Sequence, residues 1–352
     1  MEITATYLDT RDSRILVIWL ACFSLVNSRF LFVWKNKRIQ MLVIQQLVNG
    51  LMLGGVYVMV AVAFTLIIGM LNFLNFTIPA LFMFAAVLMY ATMMGQLPFG
   101  NDIILSIFGM EYRWVAGVVI ALVVVALVSL IIERFTYRYM KAKYGDATEH
   151  ALPLVSSLGF LIIFEHLVVS TWGSDPLTAA SPFGTGTFSI GTIIFSIPQI
   201  VSLFLSLIVV VMLSIMLKAT KLGRALRSIA EKPDTAILMG VEVGRIVPIV
   251  YVITGLLCAI SGVLFTINYS TVDAYVGDTV ATVAIAGMVL GGLGNVWGAI
   301  VGGLFIGMLE VMSIYIVGAD FAKVPIWGLL LLLLVFKPTG LFGHTLIGKG
   351  KF

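Results

Sequence analysis

The chain alternates between long apolar runs and short breaks that are basic, polar or rich in glycine and proline. Runs of about 18 or more apolar residues read as membrane-crossing helices, because about 20 residues at a rise of 1.5 Å cross the hydrocarbon core. On that basis spans are predicted near 43–70, 76–94, 114–132, 152–172, 199–217, 246–268, 296–317 and 324–336. A further apolar segment at 279–293 is short and glycine-rich, which predicts a broken or re-entrant helix, and a separate apolar run at 14–34 contains Arg29. The pattern predicts an all-α polytopic membrane protein of about eight or nine helices.

Composition agrees. Of 352 residues, 61% are apolar and only 11% are Asp, Glu, Lys or Arg, against about 25% charged in a soluble domain. That charge density neither solvates a globular surface nor makes an electrostatic footprint on nucleic acid, so a soluble enzyme, a disordered chain and a nucleic-acid binder are excluded. Cys22 and Cys258 are too few and too embedded in apolar runs for a disulfide framework or a zinc site. His150, His166 and His344 are scattered without ligand spacing, so no metal site is expected.

The net charge of +4 gains meaning from its location. Ten of the 21 Lys and Arg residues fall in two loops: Arg134, Arg138, Lys141 and Lys143 in 133–149, and Lys218, Lys221, Arg224, Arg227, Lys232 and Arg245 in 218–245. Short basic loops stay in the cytoplasm. Counting spans puts both loops inside, residue 42 outside, and Lys337, Lys349 and Lys351 inside if 279–293 counts as a full span. The run at 14–34 conflicts with this, because as a span it would place Lys35, Lys37 and Arg38 outside. Either translation begins at Met41 and residues 1–40 are not part of the working protein, or 14–34 is an extra helix or signal-like segment. The organisation is thus an N-terminal extension (1–40), a transmembrane domain (41–343) and a short cytoplasmic tail (344–352).

The segment Lys221 to Arg245, KLGRALRSIAEKPDTAILMGVEVGR, is the most informative of the loops. Leu222, Leu226 and Ile229 share one helical face, while Arg224, Arg227 and Glu231 lie on another. Pro233 ends this helix, and Asp234 is placed to cap a second short one carrying Ala236, Ile237 and Met239. Such a helix pair suits the groove of a soluble partner; an ordinary interfacial amphipathic loop has the same pattern.

With Arg224, Asp234, Ala236, Met239 and Gly240, this segment resembles the cytoplasmic loop of the branched-chain amino acid ABC transporter permeases. Three further stretches agree in order: Gln45 to Phe76, Val289 to Gly307 (VLGGLGNVWGAIVGGLFIG) and Phe336 to Gly343 (FKPTGLFG). The resemblance covers about residues 41–343, and family members typically begin where Met41 stands. It implies that Gly223, Arg224, Arg227, Asp234, Ala236, Met239 and Gly240 form the coupling helix that seats in a cleft of an ATPase subunit. It also implies the partners: a second permease subunit, two cytoplasmic ATPases that carry the ATP and magnesium, and an extracytoplasmic binding protein. This chain itself would bind no cofactor and catalyse no reaction, and it would lie in the bacterial inner membrane. One departure stands out. After Asn75 and Phe76 the family usually has Ala-His-Gly and an acidic residue, whereas Thr77, Ile78, Pro79 and Ala80 follow here. If that region touches cargo, preference departs from leucine, isoleucine and valine, so urea and short amides remain alternative substrates.

Glycines recur at four-residue intervals, as Gly50 and Gly54, Gly287 and Gly291, Gly294, Gly298 and Gly302, and Gly303 and Gly307. Small residues at that spacing let helix backbones approach closely inside a membrane, which makes tight packing their expected role. Polar groups at membrane depth are the candidates for the path or its gate, because each is costly unless it faces protein or water. Asn72, Asn75 and Thr77 mark the first interrupted helix, Glu165 and His166 sit within 152–172, and Asn268 and Tyr269 end the span at 246–268. The outer loops 95–113 and 173–198 face the side on which a binding protein would dock.

Two alternatives are weaker. A stand-alone secondary transporter or channel needs several intramembrane ionisable residues, and only Glu165, His166 and Glu310 qualify. The tail motif Gly343, Gly348, Lys349 resembles a phosphate-binding loop, but Gly350 stands where a Ser or Thr must bind magnesium and no strand precedes it, so energy must come from elsewhere.

Overall fold

The computed structural model describes residues 37–71, 73–97, 112–139, 151–179, 182, 186–190, 193–231, 233–337 and 339–343. The run at 14–34, Asn72, most of the 95–113 loop and the 344–352 tail lie outside the described residues. The helices are α1 (Lys37–Leu71), α2 (Thr77–Met94), α3 (Arg113–Glu133), α4 (Ala151–Trp172), α5 (Ile197–Ala219), α6 (Lys221–Glu231), α7 (Pro233–Leu238), α8 (Val243–Tyr269), α9 (Val276–Gly291), α10 (Val296–Val317) and α11 (Lys323–Phe336). Every predicted span is therefore a helix, and seven of these helices are long and apolar enough to cross a membrane. A π-helical turn, Arg134–Arg138, extends α3. Four short strands complete the described residues: β1 (Leu177–Thr178) pairs antiparallel with β4 (Thr271–Val272), and β2 (Thr187–Ile190) with β3 (Ile193–Ser196).

The two basic segments come together on one face, where the Arg138 guanidinium donates to the Gly244 carbonyl at 2.9 Å. The opposite face carries the short sheets: Gln45 at the start of α1 exchanges two hydrogen bonds with the Ile194 backbone, at 2.7 and 2.9 Å. This is the topology that the charge count predicts, with an odd number of crossings between Gln45 and Arg138.

Burial is uneven. Almost all of α1 from Met52 to Phe64 and nearly the whole of α2 are buried, as is much of α8, whereas α3, α4, α5 and α11 expose large apolar side chains such as Leu127, Ile163, Phe204 and Leu331. Helices that are apolar all round are stable at the centre of a bundle or against lipid alike. The exposed side chains are apolar, as is expected where a polytopic protein meets lipid or another helix.

Glycines set the closest contacts. A methyl group on Gly50 would lie 2.6 Å from the Met308 Cα, one on Gly54 would lie 2.9 Å from the Leu304 Cα, and one on Gly307 would strike the Gly54 backbone. Gly287 meets Gly303, Gly291 meets Gly298, and Gly302 meets the Gly287 carbonyl, so α1, α10 and α9 form one layered contact. Gly294 departs from the predicted row. It sits in the turn between α9 and α10 with φ +79°, and Gly292 has φ +109°; both take left-handed backbone, and Gly294 also abuts α1, where a methyl group on Gly69 would lie 3.3 Å from the Gly294 Cα. These two glycines end α9 instead of breaking it. With 16 residues α9 is about 24 Å long, shorter than the ~30 Å hydrocarbon core, and its first turn packs Gly277 against the Pro79 carbonyl at the start of α2.

Candidate functional site

The amphipathic stripe of α6 folds as its spacing predicts. Leu226 and Ile229 are buried, Leu222 is half-buried, and Arg224 and Glu231 are exposed. The corner between α5 and α6 is held by three contacts with the last turn of α5. Thr220 Oγ1 accepts the Gly223 N–H at 3.3 Å, a side chain on Gly223 would collide with the Leu217 carbonyl, and the Arg227 guanidinium donates to that same carbonyl at 2.7 Å. A cation there also complements the negative end of the α5 dipole. Arg227 thus fastens the corner, while the Arg224 side chain has no partner among the described residues.

The second helix starts one residue earlier than the capping pattern predicts. Pro233 is its first residue rather than a terminator, because a proline at that position sacrifices no intrahelical bond; the backbone therefore puts Asp234 inside the first turn. Ala236 is buried at 3% exposure and packs inward. The residues turned outward are Ile237, Leu238 and Met239, at 54%, 86% and 82%. Gly240, at φ +84°, closes the turn in the left-handed region. Three adjacent apolar side chains are thus left exposed on one knob. Inward from this knob, a groove lined by Thr65, Ser214, Gly223, Arg227, Gly294 and Trp297 connects α6 to the foot of α1 and to the α9–α10 turn. The Lys218 ammonium lies 5.3 Å from the centre of the Trp297 ring across the same region.

The polar residues at the α1–α2 break form a capping knot. Asn75 Oδ1 accepts from the Thr77 N–H at 2.9 Å and from the Thr77 hydroxyl at 2.7 Å. Its Nδ2 donates to the Tyr251 hydroxyl on α8 at 3.3 Å, and the Phe76 N–H donates to Ser157 Oγ on α4 at 3.1 Å. Asn75 is fully buried and Thr77 nearly so. The interruption is therefore tied to two other helices. Asn75→Ala is expected to lower stability by about 1–2 kcal/mol through loss of the cap, read as a fall in the thermal unfolding midpoint in detergent; an unchanged midpoint would remove this role.

Glu165 is buried with an unpartnered Oε1, and its carboxyl faces Asp278 in the first turn of α9. His166 turns outward, its Nδ1 lying 2.9 Å from the Ile162 carbonyl of its own helix. Asn268 Oδ1 is buried and unpartnered, while Tyr269 stacks on Phe265 with ring centres 4.8 Å apart. Sequence reasoning placed Asn268 and Tyr269 together but overlooked their neighbours. Tyr57 on α1 meets Glu310 on α10, and Tyr269 is close enough to interact with both. The signal was present, since Glu310 is one of the three ionisable residues in the apolar runs; what was missing was knowledge that α1 and α10 touch.

A bundle of apolar helices, with buried polar groups inside and an amphipathic helix pair presented on one face, is the architecture of a polytopic membrane protein. The chain belongs to the family described as the branched-chain amino acid transport system / permease component, whose model matches residues 46–336. It is 27% identical over 310 residues to the high-affinity branched-chain amino acid transport system permease protein BraD of Pseudomonas aeruginosa, covering 87% of this chain and 97% of that one. It is also 27% identical over 314 residues to the permease protein LivH of Escherichia coli, with the same coverage. The ribose import permease protein RbsC of Bacillus subtilis is 25% identical over 195 residues, 52% of this chain and 58% of its own. No solved structure matches. The protein is a multi-pass permease of the bacterial inner membrane.

Proposed function

We propose that this chain is the membrane-spanning subunit of an ATP-driven importer for branched-chain or related amino acids. It pairs with a second permease, two cytoplasmic ATPases and an extracytoplasmic binding protein. The observation that carries this reading is the exposed Ile237–Leu238–Met239 knob, mounted on a corner that is locked to α5. Closure of the ATPases pushes on α6 and α7, and the rigid corner passes that motion to α5, α8 and the foot of α1. The carboxylate and ammonium of the cargo need only transient solvation along the path, because selection resides in the binding protein. A second reading keeps the importer but changes the cargo to urea or a short amide. The observation favouring it is the uncharged Thr77–Ala80 entry to α2, which lacks the histidine and acidic residue usual in relatives.

The test is isolation in mild detergent followed by uptake in proteoliposomes. ATPase subunits are expected to co-purify, and labelled leucine uptake is expected to require ATP; isolation without an ATPase, with uptake insensitive to ATP depletion, overturns the proposal. Within that assay, Arg224→Glu is expected to lower uptake about tenfold, equivalent to ~1.4 kcal/mol, while capture by the binding protein is unchanged. Unaltered uptake removes Arg224 from the docking surface.

A further inference from the structure

We infer that Glu310, Tyr57, Asn268 and Tyr269 form a station for the ammonium group of an amine-bearing substrate, in the half of the transport path away from the coupling surface. The inference rests on the permease reading and adds to it the residues that recognise the amine. Four observations carry it. First, α1 and α10 run antiparallel at the glycine contact of Gly54 with Leu304 and Gly307. Helical side chains lean toward the N-terminus of their own helix, so Tyr57, one turn past Gly54, and Glu310, one turn past Gly307, lean toward each other, and they meet. Second, the Ser261 hydroxyl on α8 bonds the Val56 carbonyl of α1 at 3.0 Å. Phe265, Asn268 and Tyr269 follow Ser261 at helical spacing, which carries that stripe toward the same region.

Third, two acceptor atoms remain without a donor although the Tyr57 hydroxyl meets the Glu310 carboxyl. Glu310 Oε2 and Asn268 Oδ1 are both buried and unpartnered, and a buried acceptor left unpaired costs about 1–3 kcal/mol. An ammonium has three N–H donors and no acceptor, which is the complement of this set. The Tyr57 and Tyr269 rings add faces that attract a cation. Among the described residues, the cation that acts on Glu310 is Lys323, which stands at the first position of α11 and is exposed. Fourth, Tyr269 is 39% exposed, so the station is open at one side. Glu310 lies fifteenth in the 22-residue α10, which starts at the coupling-side groove, and this places the station in the outer half.

The full-length chain, purified in mild detergent with the subunits that accompany it, can be tested by labelling Glu310 with a hydrophobic carbodiimide and quantifying the modified peptide by mass spectrometry. The probes are leucine, isoamylamine, which has the ammonium and branched chain alone, and isovalerate, which has the carboxylate and branched chain alone. Leucine and isoamylamine are each expected to slow modification about tenfold at ten times their dissociation constants, and isovalerate is expected to have no effect. Absence of protection by isoamylamine, or equal protection by isovalerate, overturns the inference. Tyr57→Phe removes only a hydroxyl and is expected to weaken protection at least threefold with an unchanged unfolding midpoint; undiminished protection overturns the site as drawn. Because labelling needs neither ATP nor transport, a chain that fails in proteoliposomes yet shows amine-protected Glu310 separates failure of the importer reading from failure of this one.

Discussion

Gly307→Val is expected to leave almost no folded permease. A side chain at Gly307 would meet the Cα and N of Gly54 and the carbonyl of Gly50. These are backbone atoms, so no rotamer change relieves the clash. The partner surface is also glycine, and Gly303 packs against Val58 about one turn away; rotating α10 to free one position would jam another. Overpacking a tight core typically costs about 1–3 kcal/mol per insertion, and here α1 and α10 would have to separate along their length. A loss of at least about 3 kcal/mol is expected, read as aggregation on size-exclusion chromatography after mild heating. Gly328→Ala on α11 is the matched control. Nothing lies within 4 Å of a methyl group there, and alanine in a helix interior is favoured over glycine by up to about 1 kcal/mol. A monodisperse Gly307→Val protein with an unchanged midpoint would refute the α1–α10 contact.

The second large effect is expected at the exposed Ile237–Leu238–Met239 knob. Changing Leu238 and Met239 together to Asp should reduce ATP-driven uptake at least about 100-fold, equivalent to ~2.7 kcal/mol, with no change in unfolding midpoint. Both side chains are more than four-fifths exposed, so charge there costs the isolated chain nothing. In an apolar cleft of an ATPase the same two carboxylates would be desolvated without partners, at several kcal/mol. Ala236→Asp separates docking from folding, because Ala236 is buried: it should lower the midpoint itself. Full uptake by the double Asp variant would show that the knob does not dock.

The residues that proved hardest to read illustrate what patterns carry. The stripe of Leu222, Leu226 and Ile229 was legible because a helix on a polar surface must segregate its apolar side chains. Arg224 and Arg227 looked equivalent, two cations three residues apart on one face. They differ because only Arg227 reaches the Leu217 carbonyl, a contact across a corner that no periodicity contains. Asn75 stood out as a polar residue at membrane depth, yet its partner Tyr251, and Ser157, which accepts the neighbouring Phe76 N–H, come from helices far along the chain. Gly294 matched a packing row by spacing alone, and its positive φ assigns it to a turn.

The sequence by itself determined the class of the protein, the spans, the side on which the basic loops lie and the amphipathic helix pair between α5 and α8. Each of these follows from local rules: hydrocarbon thickness, charge retention and helical period. Only the tertiary structure decided which helices are central and which stay exposed. A helix that is apolar all round satisfies both environments equally, and no single run of residues says which one it has. The same holds for the cluster of Glu310, Tyr57, Asn268 and Tyr269. It exists because glycines on α1 and α10 let two distant segments touch, so its chemistry belongs to the packing and not to any one stretch of chain.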